Sequence, residues 1–231
     1  MKRLLVIIPR KQFVFVIFLI TFGFSNLTIT SSNYSQAEAR FVTSALGSSP
    51  NDLQRIVDDQ GQPGINTGGY VKYCNPDSKI GIDRPTSWDT QESPNTPTIV
   101  DFVSPPEDNS DKIQESIRVQ SAYYPSSNAP TPEEATANRI QFLKQNQDIQ
   151  DLKFVASQLA NIGDNRPAQY VVYTFKDQMG NNLVGYDIFF NGLGSMQFNN
   201  IFVIHFEGET AMFDTYAPIL LRMANSFNES C

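Results

Sequence analysis

Apolar residues along this chain follow two rhythms, a period-two alternation that marks half-buried strands and a three- and four-residue stepping that marks helices. The alternation sets in at Tyr70. Residues 70–73 and 79–83 read as two strands joined by the turn Asn75-Pro76-Asp77-Ser78, where proline fixes φ and short polar side chains cap the backbone. Thr98–Val103 and residues 116–123 read as a second pair, with an acidic, proline-containing loop at 104–111 between them. A helix start follows. Thr131 is placed as the N-cap, Pro132 at the first helical position and Glu134 where it completes a capping box, with Ala135, Ile140, Phe142 and Leu143 forming an apolar side before Asn146. The second half reads as a meander of strands at 154–159, 168–175, 183–190 and 200–206. The last three are joined by Met179-Gly180-Asn181-Asn182 and by 191–195, whose glycines and asparagines tolerate positive φ. A closing helix is expected over 210–227, with Met212, Phe213, Tyr216, Ile219, Leu220, Met223 and Phe227 on one side and Pro218 kinking or splitting it. The pattern predicts an α+β fold, an antiparallel sheet with helices on one or both faces.

Before Tyr70 the pattern is different. Lys2, Arg3, Arg10 and Lys11 precede an uncharged apolar run at 13–24, and small and polar residues follow as far as Ala37-Glu38-Ala39. Twelve helical residues span about 18 Å, short of a hydrocarbon core of roughly 30 Å. Residues 1–39 therefore read as a cleaved export signal or, counting on to Ile29, as a single uncleaved anchor with its charges on the inner side. Residues 40–69 read as a linker or N-terminal extension. Their run Gly61-Gln62-Pro63-Gly64 and the pair Gly68-Gly69 interrupt structure and have little to bury. The folded domain is expected at 70–231, large enough to stand without a metal.

Charge then narrows the partners. Of 17 basic and 24 acidic residues, four and one lie in the first 39, which leaves 13 against 23, a net of −10. No Lys/Arg cluster relieves that balance, so nucleic acid is excluded as a natural partner. The two cysteines, Cys74 and Cys231, suit an oxidising compartment. They are read as one disulfide or as two unremarkable thiols, since neither has a nearby histidine or second cysteine for metal or nucleophilic chemistry.

The ordered features resemble the PsbP family, the extrinsic proteins of photosystem II, and the wider superfamily that includes the Ran-binding Mog-type proteins. The residues that carry the resemblance are the aromatic first strand at Tyr70 and Tyr73, Gly81-Ile82 followed by Pro85-x-x-Trp88, and Phe102 leading into Ser104-Pro105-Pro106-Glu107-Asp108. They continue with Ser116-Ile117-Arg118-Val119, Thr131-Pro132-Glu133-Glu134, Pro167-Ala168 before a tyrosine-rich strand, and the terminal Asn225-Ser226-Phe227, covering about 70–228. The resemblance implies an αβα sandwich with a central antiparallel sheet that binds a partner protein and has no catalytic residues. Photosynthetic members support calcium and chloride retention at the manganese cluster. This chain departs from them in having Arg40 alone where a basic docking segment would stand.

Candidate chemistry is sparse. The single histidine, His205, shares a strand face with Ile201 and Val203 and reads as structural, because no partner carboxylate or nucleophile is singled out for acid–base work. Gly192-Leu193-Gly194-Ser195 lacks the Gly-x-Ser-x-Gly spacing of a nucleophile elbow and reads as a turn. Glu107, Asp108 and Asp111 offer hard oxygen ligands without EF-hand spacing, which predicts weak calcium binding at most, with Asp187, Glu207 and Glu209 as further ligands if the fold gathers them. Trp88 reads as a plug at the edge of the core. The tyrosines Tyr70, Tyr73, Tyr123, Tyr124, Tyr170, Tyr173 and Tyr186 read as strand formers that would make a protein-binding patch if several faced outward. The expected protein is a non-enzymatic, exported accessory domain that binds a membrane-associated protein, the alternative being an extracytoplasmic carrier of a small apolar ligand held between sheet and closing helix.

Overall fold

The computed structural model describes residues 68–92, 98–107, 111, 113–125, 128–193 and 198–231. The expected signal or anchor at 1–39, most of the linker and Asp108 lie outside the described residues. The elements are β1 (Tyr70–Asn75), β2 (Ile80–Pro85), β3 (Asp89–Glu92), β4 (Thr98–Val103), β5 (Ser116–Pro125), α1 (Pro132–Gln145), β6 (Gln150–Ile162), β7 (Arg166–Lys176), β8 (Asn182–Asn191), β9 (Phe198–Glu209), a 3-10 turn (Thr210–Met212) and α2 (Phe213–Ser226). β1 and β2 form a separate antiparallel hairpin. The other strands make one seven-stranded sheet in the order β3-β4-β5-β9-β8-β7-β6, antiparallel throughout.

Strand alternation sorts the apolar residues into two cores. Tyr170, Val172, Tyr186, Ile188, Phe190, Phe202, Ile204 and Phe206 pack with Phe213, Leu220 and Met223 of α2 and with Ile80 and Ile82 of β2. Their neighbours Val171, Tyr173, Phe175, Leu183, Phe189 and Ile201 pack instead with Leu143 of α1, with Ala135 and Ile140 at its margin. β7 and β8 are therefore buried on both faces, which explains the unbroken apolar run Tyr170-Val171-Val172-Tyr173 that pure alternation would not produce.

The capping box forms as the sequence predicts. Thr131 Oγ1 accepts the Glu134 amide at 3.2 Å, and Glu134 accepts the Thr131 amide at 2.8 Å. One strand was not expected, and two expectations need correction. β3 is a strand with no apolar alternation, created by pairing with β4. β6 is longer than 154–159 at both ends and carries register shifts between Gln150 and Lys153 and between Phe154 and Ala156. The closing helix is not broken at Pro218, because a proline there removes only the bond to Asp214 four residues earlier. The change from 3-10 to α geometry falls at Met212–Phe213 instead.

After α2 the last residues are fastened to the β1–β2 hairpin, to the region where β6 passes into β7 and to Leu193 just after β8. Asn228 exchanges backbone bonds of 2.8 and 2.9 Å with Gly81 of β2. Glu229 accepts from Arg166 at 2.8 Å and from the Leu193 amide at 2.9 Å. Asn225 Oδ1 accepts the Gly163 amide at 3.0 Å. Cys231 closes the set through a disulfide to Cys74 of β1, Cα–Cα 5.6 Å.

Candidate functional site

The acidic loop places its two described candidate ligands in structural roles. Asp111 accepts the amides of Glu107 and Ile113, each at 3.0 Å, and Glu107 accepts the Tyr216 hydroxyl of α2 at 3.2 Å. Asp187 and Glu207 stand elsewhere, beside His205. Among the described residues no group of three or more His, Cys, Asp or Glu side chains is arranged to hold a metal ion. Trp88 is buried, its ring centroid 5.8 Å from that of Tyr216. The tyrosines do not form an outward patch. Tyr170, Tyr173 and Tyr186 are core residues, and Tyr123 alone of the seven is an exposed large side chain.

What the sequence did not single out is a polar row on the sheet face that packs with α1. Strand register sets Asp101 of β4 opposite Arg118 of β5, Arg118 opposite His205 of β9, and His205 opposite Asp187 of β8. Arg118 Nε reaches both Asp101 oxygens at 2.8 and 2.9 Å. Asp187, 1% exposed, meets His205 Nδ1 at 2.5 Å through Oδ1 and accepts Arg139 Nε of α1 at 2.9 Å through Oδ2. Arg139 also donates to the Tyr173 hydroxyl at 3.0 Å and lies over the Tyr173 and Phe142 rings. Glu207 stands 3.6 Å from His205 Nε2. These charges balance, so burial of each is compensated by a neighbour.

Electrostatics gives the row its chemical character. Burial opposes the charged form of His205, but the Asp187 carboxylate outweighs it and raises the imidazole pKa to about 9, with Glu207 adding to the shift. Burial likewise opposes ionisation of Asp187, and the His205 and Arg139 cations overcome it and lower its pKa. The hydrogen bond with His205 leads in lowering that of Glu207. Both ring nitrogens thus face carboxylates, and the imidazole is a fixed cation at neutral pH. A general base must instead be neutral, with a free lone pair turned toward a substrate.

A pH dependence follows. His205 titrates near 6.5 when unfolded and near 9 when folded, so its stabilising contribution is complete below about 6.5 and is lost as pH rises through 9. That loss amounts to roughly 3 kcal/mol at 1.36 kcal/mol per unit. Asp187 has the opposite sign, its contribution present above about pH 4 and lost as pH falls through its folded pKa. The two are one interaction seen from its two ends. Urea titrations at pH 6, 7.5 and 9 should show declining stability in the wild type and a flatter profile in His205→Gln; equal slopes in both would refute the assignment.

The row also depends on a glycine. A Cβ at Gly185 would lie 2.3 to 2.6 Å from the ring and hydroxyl of Tyr173, the cross-strand neighbour whose side chain crosses that backbone to reach Arg139. Gly185→Ala should cost about 1–3 kcal/mol by overpacking. Gly180→Ala is a poor control because φ there is +84°, so the comparison is Gly185→Ala in wild type against the same change in Tyr173→Ala, where the cost should largely vanish in thermal denaturation.

With the geometry established, known structures place the fold. The solution structure of cyanobacterial PsbP (CyanoP) from Synechocystis sp. PCC 6803 superposes with a TM-score of 0.50 at 14% identity, covering 74% of this chain and 98% of that one. The chain has a PsbP-like fold. LpqN, described as involved in cell envelope biogenesis of Mycobacterium tuberculosis, gives 0.50 at 13% identity over 69% of this chain and 90% of its own. The Saccharomyces cerevisiae Ran-binding protein Mog1p follows at 0.46 and 10%, over 69% and 95%. No family model and no curated protein matches the sequence. Among the described residues no helix of this PsbP-like chain is long and apolar enough to cross a membrane.

Proposed function

We propose that this chain is an exported, non-enzymatic accessory domain, an αβα sandwich of the PsbP-like type that binds a membrane-associated protein. The observation that carries this reading is the closed polar row. Its histidine is held as a cation between two carboxylates, so the imidazole is committed inward and is not free to act as a substrate-facing base. The apolar run at 13–24 and its basic flank support export, and the description of LpqN in envelope biogenesis agrees with work outside the cytoplasm. The net of −10 beyond residue 39 directs recognition away from nucleic acid and anionic lipid.

The apolar-carrier alternative is disfavoured by the packing beneath α2. The rings that would line such a cavity lie against one another, with Phe227 4.9 Å from both Phe190 and Phe202 and Tyr216 6.2 Å from Phe206. Affinity capture from membranes of the source cell, with the full chain as bait, should recover the same membrane protein from several detergents. Repeated recovery of nothing, or turnover in a substrate screen that His205→Ala abolishes, would overturn the proposal. At the acidic loop the expected calcium dissociation constant is about 0.1 to 1 mM, as for exposed extracellular sites. Tight stoichiometric binding by calorimetry, lost in Asp111→Ala, would contradict that figure.

A further inference from the structure

We propose that the free edge of β6 pairs with a second copy of the chain, making a two-fold dimer with a continuous antiparallel sheet centred on Leu159. An open sheet has two edges, and proteins blunt them with short strands, charges or bulges. β3 is blunted in this way, with four residues of which Asp89 and Glu92 are acidic. β6 is not. It runs for 13 residues, and among the described residues its ladder partner is β7 on one side. Its two register shifts fall before Ala156, and from Ala156 opposite Val172 to Ile162 opposite Arg166 the pairing is regular, ending where Gly163 turns with φ +49°.

That regular window, 156–162, contains no charge and no proline, and Leu159 at its centre is 65% exposed. Two-fold antiparallel pairing must set one residue against itself. Centring the axis on Leu159 brings the window's large exposed apolar side chain against its own copy. It also places Gln158 opposite Ala160, Ser157 opposite Asn161, where a hydrogen bond can form, and Ala156 opposite Ile162. A charged residue near the axis would meet its like in this arrangement, and the window has none. The first charges beyond it in sequence have opposite signs, Lys153 within β6 and Asp164 in the turn after it, so this axis sets no like charges against each other. An extended peptide from another protein could use the same hydrogen bonds, but this chemistry is complementary to itself.

Sedimentation equilibrium on the full chain between 1 and about 100 µM should show a concentration-dependent shift toward twice the 25.9 kDa chain mass. Leu159→Asp, which sets two like charges face to face, should weaken dimerisation at least tenfold. Met179→Asp, at a still more exposed apolar position in the β7–β8 turn, should leave it unchanged. Unaltered far-ultraviolet circular dichroism and melting temperature would show that both variants fold, and Ser157→Asp supplies a second probe of the window. A monomer throughout the range overturns the proposal. So does a dimer that survives Leu159→Asp, as association through the apolar N-terminal run would, or a monomer that takes up a strand from another protein.

Discussion

Asp187→Ala should lower stability by about 3–5 kcal/mol, the scale on which removing one member of a buried ion pair leaves its partners uncompensated. The carboxylate is shared by two cations, the buried His205 imidazolium and the half-buried Arg139 guanidinium, and Arg139 is the link from α1 into the row. Asp187→Asn, which keeps an acceptor but removes the charge, should fall between wild type and alanine. Asp101→Ala provides the contrast at the solvent end. Its partner Arg118 is 37% exposed and reaches the carboxylate through Nε alone, so the loss should stay at or below about 1 kcal/mol. Urea unfolding of the three variants at pH 6 checks the order. Equal effects at Asp101 and Asp187 would mean that burial does not set the strength of this network.

The second large effect is expected from the disulfide. Cys74 and Cys231 are 157 residues apart, and closing a loop of that length restricts the unfolded chain by about 5 kcal/mol in the chain-entropy model. Removing a natural disulfide commonly costs about 2–5 kcal/mol. Cys74→Ala, Cys231→Ala and the double variant should therefore lose the same amount within error, because each abolishes the same link. The tail retains its bonds at Gly81 and Glu229, so hydrogen exchange should quicken at Asn228 more than in β8. Two titratable thiols in the denatured, non-reduced wild-type chain would contradict the bond.

Features written in a few consecutive residues were legible in the sequence. Thr131, Pro132 and Glu134 define a helix start through contacts within one turn, and the apolar runs of β7 and β8 mark strands wherever the chain places them. β3 was not legible, because Asp89-Thr90-Gln91-Glu92 has no strand signature and becomes a strand by hydrogen bonding to β4. The polar row was hidden for a related reason. Arg139, Asp187 and His205 come from one helix and two strands, and only strand register brings the last two opposite each other. His205 could be assigned a face from its neighbours Ile201 and Val203, but its partner required knowledge of which strand lies alongside. Asp187 within the apolar run Leu183 to Phe190 was the available signal, since an acidic residue amid core positions calls for a buried counter-charge.

The strand order also sets a timetable for assembly. β9 lies between β5 and β8, joining Ile117 to Phe206 on one side and Ile188 to Ile204 on the other. Until β9 emerges, β3-β4-β5 and β6-β7-β8 are two separate meanders, each with an unsatisfied inner edge, and neither has α2 to cover it. The sheet closes only when nearly the whole chain has been delivered. Such late, long-range closure makes folding slow and leaves open edges exposed in the interval. A chain that reaches its compartment unfolded, threaded amino end first, would complete its core only at the end of transit and remain a substrate for chaperones until then.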